Sequence, residues 1–206
     1  MGFARSEIAT LRSQGVISEV NNTSHDEEKF LSNVFLRPEP NNDFWMILNL
    51  TQLNRFVEYR HFKTEGLSSA LNMLKPGVFM ASVDLREAYH SCPIACEHRK
   101  YLRFLWEGKK FEFTCFPNGL ACAPLYFTKI SRPIFSSLRY QSVVYIDDTY
   151  LQGDTLDECT NNVRDNQSFP RTGLHDQLGQ VCSDAYPMHP FLGFGLNSLT
   201  MTVSVN

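Results

Sequence analysis

No apolar run in this chain reaches the roughly 18 residues that a membrane-spanning helix needs, and residues 1–30 lack the apolar core of a secretion signal. An intracellular protein, cytoplasmic or nuclear and away from membranes, is expected. The six cysteines form no Cys-x-x-Cys pair, so a disulfide framework is not indicated. His90, Cys92, Cys96 and His98 share even spacing, yet along an extended strand they spread over roughly 25 Å, too far for a zinc ion that needs ligands at about 2.0–2.3 Å. Cationic charge is also short: 19 Lys and Arg stand against 22 Asp and Glu, a net charge of -3 that argues against a strong general nucleic-acid binder. Internal repeats, low-complexity tracts and flexible linkers are lacking.

What is present is an ordinary globular composition, 43% hydrophobic over 206 residues, enough for one large domain or a domain with a subdomain. The stretch EIATLRSQGVI predicts a helix ending near Gly15. FLSNVFLRPEPNNDFWMILNL, residues 30–50, reads as a hairpin with a polar tip. Leu67, Ala70, Leu71 and Leu74 fall at helical spacing and Lys75-Pro76-Gly77 stops that helix, after which VFMASVD predicts a buried strand ending in Asp84. YLRFLW and FEFTCF flank a turn and predict a second hairpin. Ala123-Pro124 opens a helix whose inner face is expected at Leu120, Phe127, Ile130 and Ile134, with Pro133 kinking or ending it. Residues 166–190 show neither helical nor strand period and are expected to be irregular.

Two features carry chemistry. SVVYIDDTYLQ places Asp147 and Asp148 at the bend between two short apolar strands. Adjacent aspartates also occur in plain solvated turns. Two carboxylates about 4 Å apart repel by roughly 4 kcal/mol at an effective dielectric near 20, so a cation is expected beside them. Mg²⁺ suits such hard oxygen ligands, uses few carboxylates per ion and leaves room for substrate phosphates. A pair of such ions is the two-metal route to nucleotidyl transfer. Arg99, Lys100, Arg103, Lys109 and Lys110 form the second feature, a basic stretch with interleaved aromatics. It is either a lining for a phosphate backbone or the solvated face of a hairpin.

FMASVDLREAYHSCPI, FPNGLACAPLYFTK, VVYIDD and FLGF, in that order and spacing, resemble the palm motifs of retroelement reverse transcriptases. FLSNVFLRPEPNNDFWMILNLTQLN is similar to their fingers hairpin, while ILNLTQLNRFVEYRHFKTE and LNSLTMTV most resemble DIRS-type retrotransposons. The resemblance implies an α+β fold, a right-hand polymerase palm with partial fingers, its antiparallel sheet packed on helices. Residues 1–75 would be the fingers portion, 76–165 the palm core, 166–190 an irregular and possibly frame-shifted segment, and 191–206 the start of a primer-grip hairpin. It implies RNA-directed DNA polymerase activity with Mg²⁺ or Mn²⁺, a primed RNA or DNA template and deoxynucleoside triphosphates. Asp84, Asp147 and Asp148 would bind metal, with the Leu85 carbonyl as an extra ligand. Tyr89 would be the steric gate against a 2′-hydroxyl, or else a half-buried tyrosine. Asn118 and Gly119 would border the incoming nucleotide, or form a plain turn. Tyr145 and Ile146 would sit near the primer end, or pack in the core. Phe191, Leu192 and Gly193, with Phe194, would form the primer grip, or a core strand with a glycine bulge.

The chain departs from the family in places. Glu39 stands in the fingers loop and Trp45 where a basic residue is expected, leaving Arg37 as the nearby cation for the triphosphate. The segment at 166–190 lacks the family's lysine-bearing wording. These departures define a competing reading: a catalytically impaired relic binding nucleic acid weakly through residues 99–110.

Overall fold

The architecture comes from a computed structural model, which describes residues 2–20, 30–38, 44–85, 87–136, 142–167 and 185–205. In chain order the elements are α1 (Gly2–Ser13), β1 (Ile17–Glu19), β2 (Val34–Pro38), β3 (Phe44–Leu48), α2 (Thr51–Asn54), α3 (Leu67–Met73) and β4 (Phe79–Asp84). They continue with α4 (Cys96–Arg99), β5 (Arg103–Trp106), β6 (Lys109–Phe113), α5 (Ala123–Ser136), β7 (Ser142–Tyr145) and β8 (Asp148–Gly153). The last are α6 (Leu156–Gln167), β9 (Met188–Phe191), β10 (Phe194–Asn197) and β11 (Thr202–Val205). All strand pairs within these sheets are antiparallel. The fold is therefore α+β, as the motif order implied.

Two compact units divide the chain: residues 1–60 with 89–124, and residues 61–88 with 125–206. The first holds the hairpin β2-β3 and a three-stranded sheet ordered β1-β6-β5. Gly15, at a φ of 73°, lets the chain leave α1 and enter β1, a conformation costly for any residue with a Cβ. Ile8 and Leu11 of α1 pack with Ile17, Leu102, Phe104, Phe111 and Phe113 in one core, where Phe104 stacks on Phe111 at 5.7 Å. The polar tip expected at 39–43 lies outside the described residues.

The second unit is built on the sheet β4-β8-β7 and a hairpin sheet ordered β11-β10-β9. The two-residue strand period gives the first of these sheets two distinct faces. Met80, Val143 and Tyr150 on one face join Ala70 and Leu74 of the α3 region and Phe191 and Leu196 of the hairpin. Ala81, Val83 and Leu151 on the other join Cys159 and Val163 of α6. The approach of α6 is close: a Cβ on Gly153 would run into the Cys159 backbone.

Two expectations for α5 are corrected. Of the two outcomes expected of Pro133, kinking or ending the helix, the second does not occur: it lies inside the helix, in the last turn before Ser136, where little helix remains to disrupt. Ile130 is 43% exposed, so the inward face runs through Ala123, Phe127 and Ser131, a spacing of four that keeps to one side of the helix. FLGF is likewise a hairpin turn rather than a core strand with a bulge: Leu192 and Gly193 sit between β9 and β10 with φ of 50° and 80°. Of the stretch 166–190, residues 168–184 lie outside the described ones, Asn166 and Gln167 finish α6, and Met188 begins β9.

Candidate active site

β4, β8 and β7 carry the acidic residues because the hairpin register leaves no alternative. β4 pairs with β8 from Phe79↔Gly153 to Asp84↔Asp148, and β7 ends with Tyr145↔Asp148. Asp148, on the central strand, is thus flanked by Asp84 on one side and Tyr145 on the other. Asp147 stands in the turn, and its carbonyl accepts a hydrogen bond of 3.0 Å from the Leu85 amide, one residue past the ladder. That contact ties the acidic turn to the end of β4. Ile146 takes up the turn at a φ of 55°, a left-handed conformation that β-branched residues rarely adopt and that costs roughly 1–3 kcal/mol.

Below the carboxylates the sheet is dry: Thr149, Tyr150 and Leu151 are wholly buried. The Tyr150 hydroxyl lies 3.3 Å from Gln152 Oε1, and Gln152 Nε2 donates to the Met73 carbonyl at 2.9 Å, which fixes the strand from beneath. On the outer edge the Val144 amide donates to Glu65 Oε2 at 3.1 Å, so β7 is held just before Tyr145.

The electrostatics follow from this placement. Loss of solvent raises the Asp147 carboxyl above its ordinary range; its own backbone hydrogen bond opposes the shift and the Asp84 charge adds to it. Asp148 is raised first by loss of solvent, then by the Asp147 and Asp84 charges. Among the described residues none of the three carboxylates takes part in an ion pair. Nor, among those residues, are any three or more His, Cys, Asp or Glu side chains placed so that they could hold a metal ion by themselves. The donor set nevertheless suits hard divalent cations, which complete their shell with substrate phosphates and water, and which would remove the repulsion.

The other residues singled out from sequence distribute between the units. Leu85, Tyr145, Phe191, Leu192 and Gly193 accompany the aspartates in the second. Phe191 reaches the same sheet, its ring 5.4 Å from that of Tyr150, two residues beyond Asp148. Arg37, Tyr89, Asn118, Gly119 and the stretch 99–110 belong to the first. There Tyr89 packs, partly buried, against the core, and Arg37 is exposed on β2. The exposed loop at Asn118-Gly119 is clamped by Asn54, which donates to the Gly119 carbonyl and accepts from the Ala121 amide, each at 2.9 Å. Sequence reasoning missed Asn54, whose single letter carries no sign of a partner 65 residues away.

The basic stretch is not a uniform strip of available cations. Arg99 Nε donates to the Ile94 carbonyl at 3.0 Å, and Arg103 is paired with Glu112 at 3.0 Å with both side chains 16% exposed. Lys109 meets Glu19 at 3.1 Å, while Lys100 lies 5.3 Å over the Tyr101 ring. No helix among the described residues is long and apolar enough to cross a membrane.

Two solved structures of foamy viral protease-reverse transcriptase share the fold. One, a dRH form in complex with double-stranded DNA, superimposes with a TM-score of 0.80 at 20% identity and covers 100% of this chain and 35% of its own. The other, in complex with an RNA/DNA hybrid, gives 0.75 at 20% identity over 98% of this chain and 26% of its own. Among sequences, the Pro-Pol polyprotein of simian foamy virus type 1 is 24% identical over 151 residues, covering 73% of this chain. The Pol polyprotein of equine infectious anemia virus, strain Wyoming, is 24% identical over 160 residues and covers 72%. The chain spans only 12% and 14% of those two polyproteins. The family profile described as reverse transcriptase (RNA-dependent DNA polymerase) matches residues 44–172. That match takes in more than half of the 206 residues, and the chain therefore belongs to the reverse transcriptase family.

Proposed function

We propose that this domain extends a primer on an RNA or DNA template, joining the primer 3′-hydroxyl to the α-phosphate of a deoxynucleoside triphosphate with release of pyrophosphate. The observation that carries the reading is the Asp84↔Asp148 register with Asp147 in the adjoining turn: three acids at one end of the sheet, Asp84 exposed and Asp147 and Asp148 half-buried, with no ion-pair partner among the described residues. Asp84, Asp147 and Asp148 would hold Mg²⁺ or Mn²⁺, with the Leu85 carbonyl beside them. The chemistry such ions supply when bound is Lewis acidity toward the primer hydroxyl and the phosphate oxygens.

The chain's own residues do the rest. Asp147 and Asp148 would present their carboxylates to the ions, and the buried strand beneath them limits their movement. Tyr89 would stand under the sugar and exclude a 2′-hydroxyl. The Asn54-clamped loop would present Asn118 and Gly119 to the nucleotide, with Arg37 toward its triphosphate. Tyr145 and the Phe191-Leu192-Gly193 turn would bear on the primer end. Of the basic stretch, Arg99, Lys100, Arg103, Lys109 and Lys110 would lie toward template phosphates, Arg99 and Arg103 being also engaged within the fold. The solved foamy viral complexes with double-stranded DNA and with an RNA/DNA hybrid support a primed duplex as partner.

In this reading residues 1–75 act as fingers and 76–165 as palm. The origin we favour is a DIRS-type retrotransposon, on the wording ILNLTQLNRFVEYRHFKTE and LNSLTMTV, and the site of action is intracellular. The relic reading, which rests on Glu39, Trp45 and the wording of residues 166–190, has less behind it, because the acidic register is intact. Primer extension on an RNA template with Mg²⁺ or Mn²⁺ tests the proposal. Incorporation that Asp147→Asn abolishes supports it; no incorporation with either ion and any template rejects it.

A further inference from the structure

The hairpin β9-β10 is fastened along β4 at steps of two residues, all on one face. At the base, Ser198, fully buried, donates from Oγ to the Val78 carbonyl, and its amide donates to the Pro187 carbonyl at 2.8 Å. Two residues on, Met80 and Tyr186 exchange backbone hydrogen bonds of 3.0 and 3.2 Å. Two further, Ser82 Oγ lies 2.9 Å from His189 Nε2. The next residue on that face is Asp84. Phe191, two residues past His189 on β9, packs its ring 5.4 Å from that of Tyr150, which brings the end of β9, and the turn after it, onto the sheet two residues from Asp148.

Two of these fastenings use backbone or a serine at the hairpin's base, where any hairpin would need holding. The third differs. His189 is 4% exposed, and burying an imidazole without a partner would cost free energy, so its ring nitrogen is committed to Ser82. Ser82 is the Cα register partner of Tyr150, on whose ring Phe191 packs. The pair therefore grips strand and hairpin one step short of the carboxylates.

We propose that His189 is a positioning residue for primer extension: through Ser82 it sets where the Leu192-Gly193 turn stands relative to Asp84 and Asp148. This rests on the polymerase reading above, with the turn bearing on the primer end. Misplacement of a reacting group by about 1 Å costs up to a hundredfold in rate, so a loosened turn should slow the chemical step more than it weakens nucleotide binding.

The test uses the whole chain with a primed RNA template. His189→Leu is expected to lower kcat for single-nucleotide addition by about tenfold, with KM for the nucleotide changed by less than about threefold. His189→Gln, which keeps a nitrogen donor at similar reach, should recover most of the loss. Ser82→Ala should reproduce it, and the double variant should lose no more than either single one. Amide hydrogen exchange is read in parallel: residues 192–195 should exchange faster in His189→Leu while the rest of β10 keeps its protection. Unchanged kcat in His189→Leu, equal losses in the Leu and Gln variants, or additive losses in the double variant would overturn the proposal. If the parent protein extends no primer, the polymerase reading fails by itself. Unchanged exchange at 192–195 would then still reject the His189 tie, and faster exchange there would uphold it as the hold on the turn.

Discussion

Two of the three-stranded sheets, one in each unit, treat charge in opposite ways. In β1-β6-β5 the charged residues are matched: Arg103 faces Glu112 across the β5-β6 ladder at 3.0 Å, and Lys109 reaches Glu19 at 3.1 Å. In β4-β8-β7 the charges at the strand ends share one sign, and among the described residues they have no ion-pair partner. A sheet that only needs to be stable settles its charges internally. One that leaves like-signed groups half-buried sacrifices stability, and the divalent cations proposed above would supply the counter-charge.

Neutralising one acid should break this contrast most visibly. Asp147→Asn or Asp148→Asn is expected to reduce primer extension on the order of a thousandfold, while Tm holds or rises. A falling Tm with activity intact would mean that the carboxylates serve the fold. Next in size is Gly153→Ala at the far end of β8, which forces β8 and α6 apart and should cost about 2–3 kcal/mol in urea unfolding. In the matched sheet, Arg103→Met strands Glu112 and should cost about 2 kcal/mol, whereas Arg103→Met with Glu112→Leu should cost far less. Equal losses in the single and double variants would show that the ion pair itself, not the stranded acid, carries the energy.

The smallest effect is a dependence on pH. Asp147 and Asp148 are held above the ordinary 3.8, so the folded state takes up protons before the unfolded state does. Their charge therefore lowers stability above the raised folded range, and that penalty fades as pH falls through this range toward 3.8. At pH 7 and without divalent cations, Asp147→Asn/Asp148→Asn should melt roughly 2–4 °C higher than the parent, allowing for solvent screening. Well below 3.8 both states are protonated and the difference should vanish. Mg²⁺ should raise the parent's Tm at pH 7 and leave the double variant's unchanged.

Periodicity made much of the scaffold legible. Leu67, Ala70 and Leu71 announced α3, VFMASVD announced β4, and both hairpins followed from turn residues between alternating runs. What escaped was decided by packing. α6 is largely polar and buries little beyond Cys159, Asn162 and Val163, so no apolar stripe marks it. β1 is three residues that become a strand only because β6 offers an edge. Within the candidate site, the adjacent aspartates alone fitted a solvated turn as well, and it was the ordered motifs around them that singled out Asp84, Asp147 and Asp148, two of which the strand register sets side by side. The Asn54 clamp and the Ser82-His189 bond were not legible, since they join positions 65, 67 and 107 residues apart and depend on which surfaces meet.

The left-handed Ile146 has a practical corollary. Asn or Gly would occupy that backbone conformation with far less penalty, so anyone engineering a hardier protein would begin there. The exchange would remove an aliphatic side chain from the doorstep of Asp147, so any gain in thermal endurance would have to be weighed against the proposed activity.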